Sequence, residues 1–234
     1  MEANEYAFFH GIRHTKLALG HWRAEPWPVL RSWFLGAALI GLLLLGAVLL
    51  IASSVKPDLG FAYVPVLPEG IEGEHIARLI GQNSLVLALH AVACIAGFIA
   101  GSALPLSAER RSGISRWVHE RARPVAFAWV VFVTCFSLLA QAAALGVIGS
   151  TLAASAAISP GLLVLTVLPH ALMELTAVFL PLAAWTIASR RDEWDQLLAA
   201  TMVTVTLAIP MLLASAAWEV HVWPHLLRAA SPVV

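Results

Sequence analysis

Charge is scarce in this chain. Asp, Glu, Lys and Arg make up only 12% of its 234 residues, about half the share of an ordinary soluble domain, roughly 25%. A globule of this size with a fully water-facing surface is thereby excluded. The 14 cationic and 14 acidic side chains cancel to a formal net charge of zero, so nothing points to a nucleic-acid partner. Cysteine is scarcer still. Cys94 and Cys135 are far apart and lack metal-ligand spacing, which excludes a disulfide framework or a zinc ribbon. Both lie in apolar runs and are expected as buried thiols behaving like small hydrophobes. Also missing are a Walker motif, a dinucleotide fingerprint, paired CxxC, HExxH and any repeat of 20–50 residues. No cleavage pattern follows the first apolar run, which is read as a retained span.

What fills the sequence instead is hydrophobic residue, 60% of the total. Five apolar runs reach the roughly 20 residues needed to cross a hydrocarbon core of about 30 Å. They fall at about 32–54, 83–106, 125–148, 160–188 and 197–219. The expected fold is an all-α, polytopic transmembrane helix bundle of about five spans. It divides into an N-terminal cytoplasmic or interfacial segment (1–31), a transmembrane domain (32–225) and a short tail (226–234). In the first segment Phe8, Ile12 and Leu19 share roughly one helical face beside Arg13 and Lys16, the pattern of an amphipathic surface helix. Trp22, Trp27 and Trp33 follow, and the nine tryptophans are read mainly as interfacial anchors. Pro124 and Pro160 suit helix starts, while Pro169 and Pro210 mark expected kinks or breaks.

Orientation follows from the loops. "SAERRSGISRWVHERARP" (107–124) carries five arginines, and "SRRDEWDQ" (189–196) two. With five spans both lie on the side of the N-terminal segment, which the positive-inside rule assigns to the cytoplasm. "STLAASAAIS" (150–159) has no charge. It is expected outside, with a re-entrant 150–160 as the alternative. The expected localisation is the inner (cytoplasmic) membrane of a bacterial-type cell.

Against this apolar background the polar residues stand out, because ionisable groups are costly in hydrocarbon. "VLPHALMELTAVFLP" sets His170 and Glu174 four residues apart, on one helix face. At 1.5 Å per residue His90 and Gln141 lie about 10 Å from the outer ends of their spans, His170 about 15 Å and Glu174 about 20 Å. Asn83 and Glu219 sit near the outer boundary. Side chains on four helices thus converge on one half of the membrane, as a shared outward-facing polar cavity would require. His90, His170, Glu174, Glu219 and His221 are the metal-ligand candidates. Zinc is the ion their nitrogen and oxygen donors would suit. Asn83 and Gln141 would line the cavity. Three roles stay open for this set: helix-to-helix hydrogen bonding, a functional polar cavity, or a metal site.

The stretch "LPHALMELTAVFLP" resembles the stage II sporulation protein M family of integral membrane proteins. Pro169, His170 and Glu174 match its Leu-Pro-His-Gly-x-x-Glu hallmark, with Ala171 in place of glycine. "NSLVLALHAVACIAGFIAG" resembles its Asn-x-x-Val-Ala span through Asn83 and Val86. "SAAWEVHVWP" resembles its closing Glu-x-x-x-x-Pro stretch through Glu219 and Pro224. The resemblance implies a membrane scaffold for peptidoglycan-remodelling machinery. The leading expectation is therefore a non-catalytic scaffold or accessory subunit of a membrane assembly, with lipids, other membrane proteins or further copies of itself as partners. The alternatives are an intramembrane metal-dependent hydrolase, with His170, Glu174 and Glu219 as catalytic candidates, and a transporter or channel subunit.

Overall fold

A computed structural model of the protein describes residues 3–58, 72–104 and 112–233. Among the described residues seven α-helices follow one another: α1 (Ala3–Ala24), α2 (Pro26–Ser54), α3 (Glu72–Phe98), α4 (Gly113–Ser155), α5 (Pro160–Arg191), α6 (Leu197–His221) and α7 (Trp223–Ala230). A π-helical turn, Ile99–Ala103, continues α3, and a 3-10 turn, Trp194–Gln196, leads into α6. The described residues contain no strand. Among the described residues five helices are long and apolar enough to cross a membrane: Pro26–Ser54, Ile76–Ser102, Phe127–Ser155, Pro160–Arg191 and Trp194–His221. The fold is an all-α bundle, and the protein is a multi-pass membrane protein.

The centre of the bundle is α5, which packs against α2, α3 and α6. All ten residues from Thr176 to Trp185 are buried, as expected of a helix surrounded by others rather than lying at a surface. In lipid, tail contacts are as apolar as helix contacts, so association rests on close packing and hydrogen bonds. Small residues supply the closeness. A Cβ added at Gly41 would lie 3.1 Å from Leu175 Cβ, and one at Gly36 would lie 3.2 Å from Ala183 Cβ. On α3, Gly97 and Gly101 make room for two indoles. A Cβ at Gly97 would fall 2.6 Å from Trp185 Nε1, and one at Gly101 would fall 2.3 Å from Trp194 Cδ2. The two rings meet edge to face at 6.3 Å.

Several boundaries differ from those read in the sequence. The arginine-rich stretch was expected as a loop up to 124, but helix α4 begins at Gly113 and runs through Pro124. Good helix formers around the proline sustain the helix despite one lost backbone donor. Residues 107–111 lie outside the described residues, as do 59–71 of the Pro/Gly-rich loop. A re-entrant 150–160 is not formed. α4 ends at Ser155, Ala157 turns with φ 53°, and the Ser159 side chain caps α5 by accepting from Leu162 N. α5 continues past Pro169 and Pro181, and α6 past Pro210. Most of the expected C-terminal tail is α7. Its Leu227 packs on Leu152, Ala156 and Leu163 at the α4–α5 turn, and Ser231 Oγ donates to Ala156 O at 2.6 Å.

α1 docks on the bundle along one stripe; of the expected amphipathic face, Leu19 packs partly buried against the core, Ile12 is exposed, and the Phe8 side chain lies outside the described residues. Gly11, Thr15, Ala18 and Trp22 face inward, at spacings of four, three and four, while Ile12 and Leu17 remain exposed. A Cβ at Gly11 would come 2.8 Å from Phe98 and 3.4 Å from Leu198. His14 Nδ1 pairs with Asp195 Oδ2 at 2.6 Å, tying α1 to the turn between α5 and α6. The tryptophans also depart from the anchor reading. Trp22, Trp33, Trp185 and Trp194 belong to the core, whereas Trp27 and Trp129 are exposed. Cys94 is buried and donates to Pro181 O at 3.1 Å, but Cys135 is exposed, against expectation.

Candidate functional site

Three helices bring polar groups together around Glu174. Glu174 on α5 lies between Asn83 on α3 and Ser215 on α6. Ser215 Oγ is 3.3 Å from Glu174 Oε2 and 3.0 Å from His170 O. Its hydroxyl proton therefore lies between two acceptors of the same helix. The Asn83 side chain lies within hydrogen-bonding reach of the same carboxylate. Glu219, one turn beyond Ser215 on α6, comes within electrostatic reach of Glu174. Ser215 is fully buried, and Glu174 is partly buried. A carboxylate accepts only, so donors from both flanking helices suit it.

The i, i+4 pair thus splits in function. His170 contributes its backbone carbonyl to the cluster. Its ring lies beside Trp223, centroids 6.0 Å apart. Trp223 Nε1 in turn donates to Thr166 Oγ1 at 3.3 Å. His170 Nδ1 is buried and makes no hydrogen bond among the described residues.

Other sequence candidates stand apart. His90 is buried nearer the α1 end, where its Nδ1 lies 2.9 Å from Val178 O and its ring tilts against Phe179 at 5.4 Å. A carbonyl can only accept, so Nδ1 carries the proton. Gln141 is satisfied within α4, donating to Ser137 Oγ at 2.9 Å. His221 is exposed at the end of α6. The five-ligand metal set is therefore not assembled: among the described residues no three His, Cys, Asp or Glu side chains stand together as ion ligands. The grouping by depth alone failed because helices at one depth can present different faces. Asn83 and Glu219 do come within reach of Glu174, and Ser215, which bonds Glu174 across the α5–α6 interface, was missed. One signal was available: Ser215 precedes Glu219 by four residues, which places it on the same helix face.

These features define a multi-pass α-helical membrane protein with a three-helix polar cluster buried in its bundle. No family model, curated protein or solved structure matches the chain.

Proposed function

We propose that the protein is an integral membrane scaffold or accessory subunit of a larger membrane assembly, in the inner membrane of a bacterial-type cell with its N-terminus in the cytoplasm. On this reading, which takes up the resemblance of Pro169, His170 and Glu174 to the stage II sporulation protein M family, that assembly serves envelope or peptidoglycan remodelling. The observation that carries the reading is the sparse cover of α4. Only 11% of its apolar window is buried within the protein, against 22–39% for the other four spans. An aromatic ladder runs along the uncovered side. Trp129 and Phe132 lie 6.2 Å apart, Phe132 and Phe136 6.5 Å, and all three are more than 60% exposed. Aromatic side chains concentrate binding energy at protein interfaces. The polar cluster fits a scaffold too, since its members bond to one another across helices.

The test is a photo-cross-linking amino acid placed at Phe132 on α4 and, for comparison, at Leu43 on α2, which is 67% exposed. In native membranes Phe132 should give a discrete protein adduct, a different membrane protein or a second copy. Lipid adducts alone at both positions would overturn the scaffold reading. The alternative, a transporter or channel subunit, draws support from Glu174 and Glu219, two partly buried acids on spanning helices within electrostatic reach of each other. On that reading Glu174→Gln abolishes ion flux through proteoliposomes while leaving the helical content intact.

A further inference from the structure

The elbow between α1 and α2 contains a cavity of about 210 Å³, lined by Leu19, Trp22, Arg23, Pro26, Val29, Leu30, Trp33 and Val203. It exists because the two helices do not run on into each other. Glu25 leaves the helical region at φ −134°, ψ 74°, and Pro26 starts α2, as expected of a residue held extended by the proline after it. Trp22 and Trp33 meet edge to face across the elbow at 5.1 Å. Val203 of α6 contributes to the lining.

The lining decides what can occupy this space. The volume would hold about seven waters at ~30 Å³ each, but apolar walls give water too few hydrogen-bond partners, and apolar cavities stay dry or take apolar guests. The elbow opens the first membrane-spanning helix, where phospholipid is the abundant apolar molecule. The one charged lining residue is Arg23, exposed and paired with no carboxylate among the described residues. Residues 11–31 carry Arg13, Lys16, Arg23 and Arg31 against the single acid Glu25. An acyl chain in the apolar part and a phosphate on the guanidinium would satisfy both halves of the lining.

We propose that the α1–α2 elbow binds one anionic phospholipid, with its acyl chain in the cavity and its headgroup phosphate on Arg23. The site is independent of the scaffold reading and of the polar cluster. It gives α1 a lipid-dependent seat on the bundle, because Leu19, Trp22 and Arg23 belong to α1 and Val29, Leu30 and Trp33 to α2.

The test uses the full chain in nanodiscs of equal parts phosphatidylglycerol and phosphatidylcholine, with retained lipid counted by native mass spectrometry. Wild type should retain one phosphatidylglycerol in preference to phosphatidylcholine. Arg23→Gln should lower that preference about tenfold. Arg31→Gln, an exposed cation outside the lining, should leave it unchanged. Val203→Phe should displace lipid of both kinds. Arg23 is exposed, so its variant tests the headgroup contact even if the Val203 variant fails to fold. No retained lipid, no charge preference, or equal losses in Arg23→Gln and Arg31→Gln would each overturn the proposal. The last result would reduce the effect to diffuse attraction between a basic surface and anionic lipid.

Discussion

Ser215 directs its hydroxyl at the backbone carbonyl oxygen of His170, 3.0 Å away across the α5–α6 interface. The Glu174 carboxylate is the second acceptor at 3.3 Å. Ser215→Ala removes the only donor α6 supplies to this point. The expected loss is about 1 kcal/mol, within the range measured for hydrogen bonds between membrane helices. Ser215→Leu should cost more, about 1–3 kcal/mol, because a fully buried site has no room for the larger side chain. Unfolding in mixed micelles measures both. An unchanged Ser215→Ala would mean the cluster adds nothing to stability.

Glu174 separates pairing from charge. Glu174→Gln keeps an acceptor for Asn83 and Ser215 and removes the repulsion with Glu219. Its stability should stay within about 0.5 kcal/mol of wild type or rise. Glu174→Leu takes the acceptor from Asn83 and leaves Ser215 with His170 O alone, and should cost about 1–3 kcal/mol. If the leucine variant proved more stable than the glutamine one, polar pairing would not be what holds this region together.

Gly101 is expected to be intolerant of even a methyl group, since its Cβ would fall 2.3 Å from Trp194 Cδ2. Gly101→Ala should destabilise by about 1–3 kcal/mol. Combined with Trp194→Leu, the penalty should largely disappear, a coupling a double-mutant cycle reads directly. Gly46, with nothing within 4 Å of an added Cβ, supplies the contrast. Gly46→Ala should be neutral or stabilise by up to about 1 kcal/mol through helix propensity.

The His14–Asp195 pair fastens α1 to the far side of the chain, with the two side chains 32% and 34% exposed. At that exposure an ion pair is worth less than about 1 kcal/mol. His14→Ala and Asp195→Asn should each raise amide hydrogen exchange in α1 a few-fold, with the five spans unaffected. The double variant should add nothing further. Added salt should reproduce part of the effect. Additive effects of the two substitutions would show that the residues act separately.

Hydropathy was enough for the spans, because a segment must be long and apolar to cross the membrane whatever it packs against. Rotation about each helix axis was not legible. His90 and Glu174 are grouped in one shared cavity by the sequence reading, yet His90 reaches Val178 O and Glu174 meets Ser215. Which face a helix turns inward depends on small residues such as Gly41 and Gly97, whose value appears only when the opposing Leu175 or Trp185 is known. The same applies to Trp22 and Trp33. By composition they resemble interfacial anchors, and only the Pro26 elbow turns them toward each other. The stripe by which α1 docks was not legible, because Gly11 and Ala18 carry little hydrophobicity, although Gly11 permits a close approach to Phe98.

The three-helix arrangement around Glu174 has a consequence for biosynthesis. Asn83 belongs to a helix made before α5, whereas Ser215 is 41 residues downstream of Glu174. While the chain is being synthesised, the carboxylate can find its first donor as soon as α5 enters the bilayer. Its second donor arrives only with α6. The contact at Glu174 is therefore completed only once α6, 41 residues on, has joined α5 in the bilayer.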